Sequence, residues 1–422
     1  MVFMPHSTLP CRTLATDAIL CILAHQHLRH HRLFLDELKV MDMLQTFQQY
    51  FFMAAGDWAE NLTEAVFAHT AQHSTLHEHS VQSMVDSSLK GTSVELDSNA
   101  VNLRATLNVP SHMAGASSRA STMQNQASPT RGASPASRAS LTGDSSSSSS
   151  EACQGMAAVA SRAGGSVTQQ PPSNGPASVV IDNTQLKALD AVQLSFDVQW
   201  PLSLVVTQEA VQQYSAVFSW LLCLKRVSLL MRNMWLDLAS CARWSNQAPA
   251  QGCEAGGVGV ADAVQNRLRI LQLFRHEAAH LVAALQAYMQ GQVLGACWHH
   301  LQTVVLNDVT DLAELQHAHM QYLAETQHHC LMSPTTREVR AIIEPVLQCI
   351  VDCTNSCRSS CNTVNDMQDL LQDEARWDSV HKSIQEFRLR TSVLYKVLKY
   401  ANGRGHYQEL FVQLDFNRYY AD

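Results

Sequence analysis

The sequence has few charged residues and lacks the signs of a nucleic-acid-binding or membrane protein. Only 16% of its 422 residues are charged, and the formal net charge is −8. An acidic chain lacks the basic surface that binds nucleic acid independently of sequence, so we expect no nucleic-acid partner. The longest uncharged apolar stretch, residues 210–224, is shorter than the roughly 20 residues that cross a bilayer. We therefore expect no membrane partner.

Targeting and catalytic motifs are also missing. The first 31 residues lack the uninterrupted apolar core and the small-residue cleavage site of a signal peptide. We expect a soluble intracellular protein whose twelve cysteines are reduced. No GxxxxGK[ST], GxSxG or GxGxxG run occurs, so the sequence offers neither a nucleotide cradle nor a nucleophile elbow. These absences predict a protein that is not an enzyme and that needs no cofactor.

One internal segment, residues 110–180, differs in composition from the rest. It is rich in Ser, Gly and Pro and contains six consecutive serines at 145–150. Such a composition buries too little apolar surface to offset the entropy of ordering, so the segment is predicted to be a disordered insertion. Ser121, Ser134 and Ser140 each follow an Arg at short spacing, a pattern that basophilic kinases use. An unmodified linker of biased composition is the simpler interpretation.

The remaining sequence has the periodicity of amphipathic helices. Val211, Tyr214 and Phe218 recur at three- and four-residue spacing, and Thr207 stands where a cap belongs. Because no alternating strand pattern with hairpin turns competes, the sequence predicts an all-α fold. We expect a multi-helix bundle with a long disordered insertion.

Three more helices are predicted towards the C-terminus. The first follows a glycine-containing loop at 245–262. The second follows Ser333 as the cap with Pro334 in the first turn, and we expect Pro345 to kink it. The third covers residues 377–400 and ends before Gly403.

The sequence contains one pattern typical of zinc proteases. His276, Glu277 and His280 spell H-E-x-x-H, which on a helix puts both imidazoles on one face with Glu277 as a general base. No second family signature marks a third ligand, and apolar residues share the same face. A packed or solvated pair of histidines is therefore the simpler interpretation, and a zinc-dependent hydrolase stays an alternative. Possible third ligands are His299, His300 and Glu314.

Cysteine and histidine also recur at four-residue spacing. A stripe along one helix cannot surround a metal ion with four ligands, so the cysteines are interpreted as a packing stripe. The histidine groups contain possible transition-metal ligands, although a solvated His-rich helix surface is the default interpretation. The cysteines are Cys349, Cys353, Cys357 and Cys361; the histidines are His69, His73, His77 and His79, with His25, His27, His30 and His31 near the start.

Four phrases carry a resemblance to a known family. They are FQQYFFMAAGDW (47–58), VQWPLSLVVT (198–207), DLAELQHAH (311–319) and QLDFNRYY (413–420). In this order they resemble the C-terminal half of the gamma-tubulin complex components, the GCP family. The stretch from 271 to 298 is most similar to component six, in which a similar R-H-E-x-x-H lies on a structural helix.

The resemblance implies a fold and a function. It implies a helical gamma-tubulin-binding C-terminal domain in a non-catalytic subunit that supports microtubule nucleation. The implied partners are gamma-tubulin and other components of the complex. The implied location is the cytoplasm and cytoskeleton, at microtubule-organising centres such as the spindle pole. A generic helical adaptor, regulated by phosphorylation of the Ser-rich insertion, is the other alternative.

The resemblance also divides the chain and nominates partner-binding residues. Residues 1–55 resemble the last helices of the family's N-terminal domain, and 56–109 begin the gamma-tubulin-binding domain. The insertion occupies 110–180, and 181–422 form the main C-terminal helical domain. The nominated residues lie in the closing phrase and, behind it, at the first phrase: Asp415, Phe416, Asn417 and Tyr420, then Asp57 and Trp58.

Overall fold

The computed structural model describes five stretches of the chain: residues 39–108, 178–247, 257–358, 364–403 and 407–416. Several sequence predictions fall elsewhere. The histidines between 25 and 31, most of the predicted insertion, Cys361, Asn417 and Tyr420 lie outside the described residues.

The first half of the described chain mixes short helices with four short strands. These elements are α1 (Val40–Phe51), α2 (Gly56–Gln72), β1 (Thr75–His77), α3 (Glu78–Ser88), β2 (Leu103–Leu107), β3 (Ser178–Val180) and β4 (Val192–Phe196). Short 3₁₀ turns at Ser98–Asn102, Leu186–Leu189 and Leu202–Leu204 link them.

The second half is helical throughout. Its elements are α4 (Gln208–Gln247), α5 (Gly257–Gln290), a π-helical segment (Gly291–Cys297), α6 (Trp298–Asn307), α7 (Leu312–His329), α8 (Arg337–Cys357), α9 (Val364–Gln372), α10 (Glu374–Asn402) and α11 (Gln408–Leu414). The predicted all-α class is confirmed, because helices make up most of the described chain.

Helix α4 is the centre of the bundle. It packs against α1, α2, α5, α7, α8 and α9, and Thr207 Oγ1 accepts the Ala210 N–H at its start, as predicted. The helix is long and apolar enough to cross a membrane, but 83% of its most apolar window is buried inside the protein. The apolar composition of α4 is thus accounted for by core packing.

The described chain also contains two small antiparallel sheets, which the sequence analysis did not predict. β1 pairs with β3 through Leu76 opposite Val179, and β2 pairs with β4. Val192, Leu194 and Phe196 alternate with less buried residues along β4, which is the pattern of a strand with one buried face. Strand β3 consists of the last three residues of the segment 110–180, which was predicted to be disordered. These residues are ordered because their backbone pairs with β1 and the central valine is buried.

The predicted helix boundaries need two corrections. Helix α5 begins at Gly257, within the predicted loop at 245–262. Helix α8 begins at Arg337, because Ser333 starts a turn in which its carbonyl accepts the Thr336 N–H at 3.1 Å. Pro345 lies inside this helix, and the predicted kink there stays a prediction.

Candidate partner-binding surface

The C-terminal end of the described chain places one nominated residue in solvent and another at the edge of the core. Helix α11 packs against α5 and α10, with Phe411 beside Tyr395 at 5.5 Å between ring centroids. The Tyr395 hydroxyl donates to Asp415 Oδ2 at 3.2 Å, while Asp415 Oδ1 is buried without a partner. Phe416 is 84% exposed. Asp415 therefore anchors the end of α11, and Phe416 presents its ring outward.

Helix α10 carries an exposed apolar stripe. Leu389, Val393 and Tyr400 are all exposed and lie within about 40° of one another around the helix axis. The opposite face of α10 is buried against α8 and contains Phe387 and Leu394. An apolar stripe left in solvent on a helix whose core face is already packed is typical of an interaction surface.

A groove lies beside this stripe. Val339 and Ile342 of α8 form one wall, and Val397 and Tyr400 of α10 form the other. Tyr407, at the start of α11, contributes to the lining, and the groove encloses about 740 Å³. Tyr400 belongs to both the groove and the stripe, so the two features adjoin at this residue.

Basic residues border the same surface. Lys382 and Lys396 are exposed on the face of α10 that carries the apolar stripe. Lys399 is also exposed and places its ammonium group 5.7 Å from the centroid of the Tyr395 ring. We call Leu389, Val393, Tyr400 and these three lysines the α10 surface. Its positive charge contrasts with the net charge of −8 of the whole chain.

The two nominated residues near the N-terminus serve the fold. Trp58 is completely buried and meets Tyr50 edge to face at 5.1 Å, so its ring offers no surface to a partner. Asp57 is exposed, and its carboxylate accepts the Ser93 N–H at 2.6 Å and the Trp58 N–H at 2.9 Å. Both hydrogen bonds lower the pKa of Asp57, and the bond from Ser93 has the larger effect. Asp57 thus fastens the loop around Ser93 to the start of α2.

Sequence reasoning passed over one exposed aromatic residue. Trp200 lies in the family-like phrase 198–207, and its side chain is 79% exposed. The nearby Leu204 accepts a hydrogen bond from Gln316 of α7 at 2.5 Å, and Leu204 and Met320 are also exposed. No pattern in the sequence distinguished this indole from the buried ones of Trp58 and Trp220.

The H-E-x-x-H pattern lies on α5, as predicted, but its glutamate is engaged. Glu277 forms a two-pronged ion pair with Arg388 of α10, with both N–O distances at 3.0 Å. His276 is exposed and His280 half-buried. Within the described stretches, no group of three or more His, Cys, Asp or Glu side chains is arranged to hold a metal ion. The carboxylate that would act as a base is thereby used in helix packing.

The cysteine stripe is part of the core, as interpreted. Cys349, Cys353 and Cys357 are buried on α8, and all three are free thiols. The hydrogen bond that the Cys353 thiol makes to Cys357, followed by burial, raises the pKa of Cys353 well above its ordinary value. A buried neutral thiol acts as a small apolar side chain, so the stripe lets α8 approach its neighbours.

Comparisons with known proteins agree with this architecture. A profile of the family described as Gamma tubulin complex component C-terminal matches residues 40–420. Gamma-tubulin complex component 6 of Homo sapiens is 27% identical over 241 residues, covering 56% of this chain and 12% of that protein. Gamma-tubulin complex component 4 of Arabidopsis thaliana is 26% identical over 254 residues, covering 58% of this chain and 31% of that protein.

The aligned region thus spans less than a third of either relative. The family profile nevertheless extends from the first helix of the described chain to beyond α11. It covers the helical core, the α10 surface and all four phrases on which the resemblance was based, and the similarity to component six is confirmed. The chain belongs to the gamma-tubulin complex component family and carries that family's C-terminal domain.

Proposed function

We propose that this chain is a non-catalytic subunit of the gamma-tubulin complex that binds gamma-tubulin and supports microtubule nucleation. Family membership supports a place in the complex, because the similar proteins are named as its components. One structural observation supports direct binding: α10 exposes Leu389, Val393 and Tyr400 although its core face is fully packed. Burial of such a stripe against a partner is the main favourable term in protein association.

The charge of the α10 surface supports a partner with an acidic face. Lys382 and Lys396 lie along the apolar stripe and Lys399 beside it, with the exposed Asp378 one turn before Lys382, on a chain that is acidic overall. Charges at the rim of an interface steer association and fix orientation, while the apolar centre supplies the affinity. We propose that gamma-tubulin presents the complementary acidic face to these lysines.

The proposed contact set also includes the end of the chain. Phe416 extends into solvent beyond α11, and Asp415 holds the backbone that carries it. Asn417 and Tyr420 follow directly and remain proposed contacts. We assign gamma-tubulin binding to residues 56–109 and 181–422 together.

Further partners and location follow from the same proposal. The chain would assemble with other gamma-tubulin complex components in the cytoplasm and at microtubule-organising centres. A spindle pole body component 98 from Dictyostelium discoideum, 24% identical over 144 residues, supports a location at spindle poles.

The test is binding of the full chain to purified gamma-tubulin, measured by size-exclusion chromatography with light scattering. We expect a one-to-one complex. Leu389→Ser should weaken it at least tenfold, since anchors at the centre of an interface often contribute about 2 kcal/mol or more. Leu306→Ser is the matched control, because both leucines are 62% exposed on helices and Leu306 lies on α6.

Two results would contradict parts of this proposal separately. A folded chain that elutes apart from gamma-tubulin would overturn the function. A complex that is weakened equally by the two serine variants, or by neither, would leave the function standing and remove the α10 surface as the binding site.

A further inference from the structure

A second exposed apolar surface is formed by elements other than α10. The Trp200 side chain is mostly exposed in the turn before α4, and so is that of Val101 in the turn before β2. The Asp197 N–H donates to the Asn102 carbonyl at 3.0 Å, so these two turns lie side by side at one end of the β2–β4 ribbon. Two large apolar side chains are thus left in solvent at the same end of the ribbon.

Helix α7 extends this surface. The Leu204 N–H donates to the Pro201 carbonyl at 3.0 Å, so the turn that follows Trp200 also presents the exposed Leu204. Gln316 of α7 donates to the Leu204 carbonyl, and Met320, one helical turn further along α7, is exposed as well. Exposed apolar side chains that three separate segments bring together are typical of an interaction site. We call the following residues the Trp200 surface: Val101, Trp200, Leu204 and Met320.

The segments that form the Trp200 surface are acidic and lack cations. Residues 91–103, 188–224 and 276–336, all of them within the described stretches, contain no Lys or Arg. The β2–β4 ribbon contains one cation, Arg104. Exposed carboxylates flank the Trp200 turn and the start of α7, and they belong to Asp197, Glu209, Asp311 and Glu314. The apolar centre of this surface is therefore bordered by negative charge.

This combination favours a basic partner. The face of an exposed indole attracts Lys and Arg side chains, and Trp is among the residue types enriched at the centres of interfaces. Carboxylates at the rim steer a basic partner towards the surface. The α10 surface is basic, so the two surfaces fit partner segments of opposite charge. We propose that the Trp200 surface binds a basic segment of a partner protein, with an Arg or Lys on the Trp200 ring and an apolar side chain against Leu204 and Met320.

The test selects the partner chemistry without assuming a sequence. A phage library of short random peptides is panned on the full chain, after depletion on Trp200→Ser to remove peptides drawn only by the net charge of −8. We expect the enriched peptides to carry a net positive charge and a large apolar residue. In fluorescence anisotropy, the most enriched peptide should bind Trp200→Ser at least roughly tenfold more weakly than the wild type. It should bind Trp235→Ser, which removes an exposed indole in the second half of α4, like the wild type.

A second pair of variants keeps the proposal testable if Trp200→Ser folds poorly. Met320→Lys puts a like charge against a basic peptide and should weaken binding, whereas Leu273→Lys, at an exposed apolar position of α5, should not.

Three results would overturn the proposal: enriched peptides that are neutral or acidic, no enrichment over the depletion step, or equal binding to Trp200→Ser and Trp235→Ser. The peptide measurements contain no gamma-tubulin, so they stand or fall separately from the proposed function. Trp200→Ser should also keep the one-to-one complex with gamma-tubulin. Loss of that complex in a folded variant would assign the Trp200 surface to gamma-tubulin and overturn a separate basic partner.

Discussion

Arg388 of α10 binds Glu277 of α5 through two hydrogen bonds of 3.0 Å each. The glutamate side chain is 12% exposed and the arginine 36%, so the pair lies at the edge of the helix interface. The rings of Phe274, three residues before Glu277, and Phe387, directly before Arg388, meet edge to face at 5.2 Å. The glutamate of the H-E-x-x-H pattern thus joins two helices of the scaffold.

The first prediction concerns the stability contributed by this pair. We expect a double-mutant cycle of Glu277→Gln and Arg388→Met to give a coupling free energy of about 1–3 kcal/mol, because the pair is two-pronged and mostly screened from water. The exposed pair Glu386–Arg390 on α10 is the control and should couple by only about 0.3–0.5 kcal/mol. The measurement is chemical denaturation followed by circular dichroism. Equal coupling in the two cycles would contradict the packing role.

The second prediction concerns pH. His319 is buried with its Nε2 3.0 Å from the Tyr214 hydroxyl, and burial lowers its pKa from 6.5 to about 4. Between pH 4 and pH 6.5 the unfolded state binds more protons than the native state. The contribution of His319 to stability is therefore fully present above about pH 6.5 and is lost as the pH falls towards 4. Between pH 7 and pH 5 this residue should remove roughly 2 kcal/mol of unfolding free energy.

Chemical denaturation at the two pH values checks this expectation. His319→Gln should lose much less stability on acidification than the wild type, whereas His276→Gln should behave like the wild type. His69 and His329 also have lowered pKa values. The unfolding free energy of the variant should therefore still fall on acidification, by a smaller amount. An unchanged pH slope in His319→Gln would contradict the assignment.

The third prediction separates two neighbouring residues at the C-terminal end. Asp415→Ala should lower the free energy of unfolding by about 1 kcal/mol, because the Tyr395 hydroxyl loses its acceptor. Phe416→Ser should leave stability within about 0.5 kcal/mol, since the ring is exposed, and should weaken binding of gamma-tubulin. Denaturation and binding are measured on both variants. A destabilised Phe416→Ser would show that this ring packs within the fold.

The fourth prediction concerns thiol reactivity. Burial raises the pKa of Cys241 and Cys297 to about 11 and that of Cys330 to about 12. Because the thiolate is the reactive form, these residues should resist iodoacetamide at pH 8 in the native protein and react fully in denaturant. Peptide mass spectrometry reads each site. Native labelling of Cys330 would contradict its complete burial at the end of α7.

Much of the helical scaffold was predictable, because helix-forming patterns are local. Val211, Tyr214 and Phe218 of α4 are all buried, as their spacing predicted, and α10 spans the predicted segment 377–400. The short strands were missed because β1 and β3 are three residues each and pair across a gap of about a hundred residues. Strand β4 does alternate, but its partner β2 lies far away in the sequence, so no hairpin turn marked either pair.

The candidate site was predicted only in part. The closing phrase nominated Phe416, which is exposed, but its role in partner binding stays a prediction. The same kind of reasoning nominated Trp58, which is wholly buried, and passed over Leu389 and Tyr400 of α10. A family-like phrase does not distinguish residues that fold the domain from residues that face a partner, since both kinds recur together.

The sequence by itself determined the all-α class, the family and the helical location of the H-E-x-x-H and cysteine patterns, because these depend on local periodicity and on short phrases. Only the tertiary structure decided what those residues do. Arg388 reaches Glu277 across 111 positions of sequence. Side-chain exposure and partnership depend on which helices pack together, and that is a property of the folded chain.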